Sequence, residues 1–103
     1  SSENLPLKEK RIYFHFFLCN SNWYVAEYDG DDLFFGFACL NGLKDSAEWG
    51  IFSFKKLKNL KLNGKIEIDK KSTILHPLEV SRNKSFKIKK AYQIPLIKEC
   101  QRW

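Results

Sequence analysis

The sequence has no stretch of about 18 consecutive apolar residues, the length a helix needs to cross a bilayer. Its aromatic-rich runs are broken by His15, Asn20, Asp29 to Asp32 and Gly36, so no membrane partner is expected. The first residues, Ser1-Ser2-Glu3-Asn4-Leu5-Pro6, carry neither the basic start nor the apolar stretch of a secretory signal, and the expectation is a cytoplasmic protein. Cysteine is sparse: Cys19, Cys39 and Cys100 are widely spaced, form no CxxC pair, and have only His15 and His76 as companions. That pattern encodes neither a disulfide framework nor a four-ligand zinc site. The thiols are read as small apolar side chains, and no metal or cofactor is expected. Arginine is scarce among the 18 basic side chains, and with it the planar fork suited to bidentate phosphate binding and base reading. Low-complexity tracts and convincing internal repeats are missing too.

What is present is bulk. Of 103 residues, 44% are hydrophobic and 16% aromatic, with nine Phe, four Tyr and three Trp. This is more apolar surface than a disordered segment carries. The length suits one domain over residues 1–103 and leaves little interior for a deep substrate cavity. Charge is divided along the chain. Residues 1–54 hold four basic and eight acidic side chains, a net −4, whereas 55–103 hold fourteen basic and four acidic, a net +10. Such asymmetry marks contacts with nucleic acid or another anionic partner.

Residues 10–19 (KRIYFHFFLC) read as a strand followed by turn material at Asn20-Ser21-Asn22. Trp23 to Tyr28 alternate as a second strand, ended by Asp29-Gly30-Asp31-Asp32. Leu33 to Leu40 form a third strand, in which Gly36 signals a bulge or a close backbone approach. Asn41-Gly42 is another turn pair, and Trp49 to Phe54 a fourth strand. Ser53 then caps a helix reaching Leu62 and stopped by Asn63-Gly64. Ile66 to Asp69 alternate as a brief edge strand. His76-Pro77 marks a loop, Ser85 to Ala91 a surface strand, and Pro95 opens a last helix. The fold class is α+β: a four- to five-stranded, mainly antiparallel sheet with one or two short helices on one face.

No catalytic set is named by spacing. His15 inside an aromatic strand is read as a neutral, hydrogen-bonded imidazole. His76 has no Ser, Cys or Asp at a distance that makes it a catalyst. A small hydrolase or nuclease using His15 or His76 with Glu27 is the third reading, behind two binding readings. The acidic cluster Glu27, Asp29, Asp31 and Asp32 lacks the twelve-residue frame of a calcium loop and is read as a hairpin tip. Trp23, Tyr24, Tyr28, Phe34, Phe35 and Phe37 exceed what one sheet face needs, leaving aromatic surface for a partner. The leading reading is therefore a non-enzymatic protein-interaction module using Trp23, Tyr24, Tyr28, Asp29, Asp31, Asp32 and Phe34. The alternative is a nucleic-acid-binding accessory protein, contacting DNA or RNA through Lys55, Lys56, Lys58, Lys61, Lys65, Lys70 and Lys71, extended by Lys84, Lys87, Lys89 and Lys90. The RNP1 octapeptide is absent, and the six aromatics named above lie in the acidic half.

The order HFF, NxxWYVAEYDGDDLFFGF, EWGIFSFKKLKNL and KIEID resembles a small bacterial family of unknown function carried on plasmids and conjugative elements, often near antirestriction genes. Trp23, Glu27, Asp29, Phe35, Gly36, Gly50, Ser53, Leu57, Ile66, Glu67 and Asp69 occupy its pattern over about residues 10–71, with 72–103 as an unmatched C-terminal extension. Ala26, Lys56 and Ile68 depart from it, standing where the family has Thr, an acidic residue and Arg. The resemblance implies a mobile-element or phage context and a host or element-encoded protein partner in defence modulation or inhibition. It implies no reaction.

Overall fold

The computed structural model describes residues 5–69 and 72–103, with side chains described outside 61–78. Strands β1 (Arg11–Ile12), β2 (Phe14–Leu18), β3 (Ser21–Tyr28), β4 (Leu33–Cys39) and β5 (Glu48–Ser53) lead into helix α1 (Phe54–Asn59). Strands β6 (Lys61–Asp69), β7 (Ser72–Glu79), β8 (Ser81–Arg82) and β9 (Lys89–Lys90) follow, and helix α2 (Pro95–Gln101) comes last. The central sheet is five-stranded and antiparallel in the order β5-β4-β3-β2-β8; β1 pairs with β9, and β6 with β7. The α+β class and the antiparallel sheet stand as read from the sequence.

Turn chemistry explains the meander. Asp29 Oδ1 accepts from the amides of Asp31, Asp32 and Leu33 at 2.8, 2.9 and 3.0 Å, and Gly30 takes φ +87°, which side-chain-bearing residues resist. Asn41 and Gly42 are also left-handed. Gly36 is the close approach its position in a strand suggested. A Cβ there would lie 2.0 Å from the Tyr24 carbonyl oxygen, beside a register shift between Val25 and Glu27 that leaves Ala26 as an extra residue.

Alternation along β3 feeds two cores. Tyr24 and Ala26 pack with Ile12, Phe37, Cys39, Ala91, Ile94 and Ile97, beneath the C-terminal segment. Trp23 packs with Leu18 and Leu57, flanked by Phe16, Ala38, Phe52 and Val80, beneath α1. The helices expected on one face are thus shared out, one to each. The reason is that β3 and β4 are apolar at both alternating sets of positions, so neither face can be left to water.

Other local expectations change where pairing overrides them. The 10–19 strand is broken at Tyr13, whose amide donates to the Val25 carbonyl at 2.8 Å. The helix from Ser53 ends at Asn59 rather than Leu62. Asn63 and Gly64 lie within β6, opposite Pro77 and His76 of β7, so neither pair forms the helix stop or loop expected; the brief Ile66–Asp69 strand grows to Lys61–Asp69. Cross-strand pairing satisfies the backbone of these turn-favouring residues in an extended form. Of the expected Ser85–Ala91 strand, Lys89 and Lys90 alone pair, with Ile12 and Arg11. Asn83 curls the preceding chain instead, its Oδ1 accepting from the Ser85 amide and hydroxyl. Pro95 opens α2 as expected.

Candidate functional site

The β3–β4 hairpin gathers a small apolar basin with an acidic border. The bulge at Ala26 sets Glu27 opposite Phe35 and Tyr28 opposite Phe34, re-aiming both side chains at the end of the strand. On the neighbouring strand Ile51 lies opposite Phe35 and Ser53 opposite Leu33. The result is a groove of about 340 Å³ lined by Glu27, Tyr28, Asp29, Leu33, Phe34, Phe35 and Ile51. Tyr28, Leu33 and Ile51 are exposed, Ile51 by 69%.

The acidic groups around it have distinct roles. Hydrogen bonding from the Asp31 amide, helped by those of Leu33 and Asp32, holds the Asp29 carboxyl below its ordinary range. Asp32 is lowered first by the Ser53 hydroxyl and then by the Lys55 amide. Its Oδ1 accepts from that amide at 2.8 Å, and its carbonyl from the Phe54 amide at 2.8 Å. Asp32 thereby ties the hairpin tip to the start of α1. Glu27 Oε1 lies 3.8 Å from Lys10 Nζ, and that buried ammonium sits 5.7 Å from the centre of the Phe35 ring. The exposed Asp31 backbone carbonyl accepts from the Tyr28 hydroxyl at 2.8 Å.

Of the aromatic residues expected to face a partner, Trp23, Tyr24 and Phe34 are 5%, 8% and 5% exposed. Trp23 and Tyr24 serve the two cores, and Phe34 is buried against the rings of Phe16, Phe52 and Phe54. Tyr28, Asp29 and Asp31 remain at the surface and Asp32 is half-buried.

The described lysines do not converge. Lys55, Lys56 and Lys58 are exposed on or beside α1, on the Trp23 face. Lys84 and Lys87 are exposed in a segment that packs through Phe86 and Ala91 on the opposite face. There Lys89 lies over the Phe86 ring, and Lys90 bonds Glu9 at 2.9 Å, a contact that raises its pKa. The side chains of Lys61 and Lys65, and Lys70 and Lys71 altogether, lie outside what the structure describes, as does the His76 side chain.

His15 is fully engaged. Its Nε2 donates to Asn22 Oδ1 at 2.7 Å, and its Nδ1 accepts from Asn83 Nδ2 at 3.1 Å. The ring stacks on Tyr24 at 4.4 Å. Burial lowers its pKa against the opposing effect of the hydrogen bond it donates to Asn22, so the imidazole is neutral at pH 7, as its strand context suggested. A broader groove of about 700 Å³ is lined by Leu5, Glu9, Arg11, Tyr13, Ala26, Glu27, Tyr28 and Lys90. Among the described residues, no group of three or more His, Cys, Asp or Glu is placed to hold a metal ion.

Leu33 and Ile51 were not singled out as site residues by the sequence, and Phe35 was named only in the aromatic surplus and the family pattern. Their shared face depends on β5 lying next to β4 at the sheet edge, and alternation within one strand carries no such information. The chain matches no family model, no curated protein and no solved structure.

Proposed function

We propose that the protein is a non-enzymatic interaction module that docks another protein at the β3–β4 hairpin and the groove behind it. The observation that carries this reading is the grouping of exposed Tyr28, Leu33 and Ile51 around one groove bordered by Glu27 and Asp29. An apolar centre with a polar rim is the usual anatomy of a protein-binding patch. The acidic border favours a partner that surrounds an apolar anchor with basic side chains. The described groups offer binding better than turnover: both ring nitrogens of His15 are occupied, and Asp29 and Asp32 are spent on backbone amides and on Ser53. On the family resemblance, the partner is a host or element-encoded protein, met in the cytoplasm by a phage or mobile-element product that modulates or inhibits host defence.

The test is capture from bacterial host lysate with the wild-type chain, Tyr28→Ala and Leu33→Asp, beside a variant with Lys55, Lys56 and Lys58 all changed to Ala. A specific protein retained by the wild type and the lysine variant, and lost from both hairpin variants, is the expected outcome. Retention unchanged in both hairpin variants overturns the reading. A second reading, nucleic-acid binding, is favoured by the exposure of Lys55, Lys56 and Lys58 together. It predicts retention on heparin or generic DNA that falls steeply with salt and is lost in the lysine variant.

A further inference from the structure

The two edges of the central sheet are unlike. At one end β8 is two residues long, whereas at the other β5 offers six, paired to β4 on its inner side and to no strand on its outer side among the described residues. Long exposed edges are ordinarily blunted by lysine, proline, a bulge or a covering element. The β5 sequence EWGIFS contains no lysine or proline, and its register with β4 runs unbroken from Ser53 opposite Leu33 to Glu48 opposite Ala38. Ile51, in its middle, is the most exposed large apolar side chain described. A Cβ built on Gly50 would meet nothing within 4 Å, which leaves room for a side chain of an incoming strand.

The charges around this edge suit one occupant. Glu48 opens β5 and Asp45 lies three residues before it, beside a Lys44 whose ammonium is held by Glu99 at 3.0 Å, while Lys55 and Lys56 lie just past its end. A second β5 crossing antiparallel at Ile51 runs the opposite way, bringing the lysine end of each copy beside the acidic end of the other, twice over by symmetry. We propose that two copies of this chain associate through their β5 edges, antiparallel about Ile51, so that the two sheets become continuous. The two-fold axis then stands perpendicular to the sheet and keeps each face on its own side. Ile51 meets its counterpart, Gly50 lies opposite Phe52 of the other copy, and the Leu33, Phe35 and Ile51 stripes of both copies join on the Tyr24 face. The contact uses the same surface on both partners, so it closes as a dimer rather than growing into a fibre. This inference goes beyond the proposed function: it shares Ile51 with the docking groove but concerns the strand edge and requires no partner at the hairpin tip.

Sedimentation equilibrium over micromolar to submillimolar concentrations tests it. The wild type is expected to pass from monomer to dimer as concentration rises. Ile51→Lys, whose side chain stands outside both cores, is expected to weaken dimerisation about tenfold or more, the equivalent of about 1.4 kcal/mol, with an unchanged far-ultraviolet circular dichroism spectrum. Glu48→Lys is expected to weaken the dimer, and Glu48→Lys combined with Lys55→Glu to restore it. A wild type that stays monomeric throughout overturns the proposal, as does a dimer of undiminished strength in Ile51→Lys. A charge-swapped chain that recovers nothing overturns the antiparallel crossing at Ile51. A monomer that still captures a host protein through Tyr28 and Leu33 removes the dimer and leaves the proposed function standing.

Discussion

The two faces of the central sheet are closed by different means. On the Tyr24 face, Ile12, Phe37, Ala91 and Ile97 are wholly excluded from water, under a segment that returns from the far end of the chain. On the Trp23 face a smaller cluster of Leu18, Trp23 and Leu57 lies under α1, six residues long and directly continuous with β5. A helix that short has almost no stability of its own. It is held by Leu57 on one side and by polar tethers on the other: Ser53 Oγ accepts from the Lys56 amide at 3.2 Å, and Asp32 accepts from Lys55 and Ser53. One face relies on apolar packing of distant segments, the other on caps that the neighbouring hairpin supplies.

Gly36 is needed by both arrangements, and its substitution has the largest expected effect. A methyl group at this position meets the Tyr24 carbonyl oxygen at 2.0 Å and the carbonyl carbon at 2.9 Å. Both are backbone atoms, so no rotamer change relieves the contact, and β3 and β4 must separate. Gly36→Ala is expected to cost about 4 kcal/mol or more, at the far end of the range for single substitutions, against a total of about 5–15 kcal/mol for an ordinary domain. Urea unfolding followed by Trp fluorescence measures it, and a midpoint close to wild type would show that the paired strands can shift apart cheaply.

The next test sets one face against the other. Ile97→Ala empties a site with no exposure in the larger cluster, and Leu57→Ala one with slight exposure in the smaller. Both belong to the class costing about 2–5 kcal/mol; Ile97 is expected near the top of that span and Leu57 near the bottom, because a rim site relaxes more readily than an enclosed one. Equal losses in denaturant unfolding would erase the distinction between the faces. Ser53→Ala should cost less, about 1 kcal/mol for a lost helix cap. Its signature is local: faster amide hydrogen exchange at Lys55 and Lys56, with the Tyr24 face undisturbed. Loss of protection throughout α2 would mean that the two faces fold as one unit.

Much of this organisation was legible in the sequence where the signal is local. Asp29-Gly30 and Asn41-Gly42 marked turns because few other residues accept a left-handed backbone. Gly36 marked a close approach, Ser53 a helix start and Pro95 another. What was not legible depends on pairing partners distant in sequence. Asn63-Gly64 has the chemistry of a helix stop, yet it is drawn into β6 by β7. The aromatic surplus pointed to an outward platform only while the sheet was taken to have one covered face. Once Ala91, Ile94 and Ile97 cover the Tyr24 face and Leu57 the other, Trp23, Tyr24 and Phe34 have interior work. The groove shows the same divide. Its acidic border is contiguous in sequence and was read, whereas Ile51 joins Leu33 and Phe35 only through the strand order.

The smallest expected effect is a pH dependence specific to the Tyr24 face. Burial of His15 there outweighs its hydrogen bond to Asn22 and sets its folded pKa below the ordinary 6.5. Above pH 6.5 the ring is neutral in folded and unfolded chains alike, and its contribution is fully present. As pH falls below 6.5 the unfolded chain takes up the proton first, so stability declines until the pH has passed through the lower folded pKa, where the contribution is gone. Protonation also adds a hydrogen at Nδ1, which accepts from Asn83, and so turns an attractive contact into a clash of donors. Asp29 and Asp32 likewise have lowered pKa values, but their contribution is present above the ordinary 3.8 and fades only below it. The two windows separate in a series of urea midpoints taken from pH 7.5 down to pH 3. Wild type should lose stability as the pH falls below 6.5 relative to His15→Gln, which has no group titrating at that position. Parallel curves for the two chains across that window would show that the imidazole is as easily charged in the fold as in water, and that the Tyr24 face is less closed at its β2 border than at Ile97.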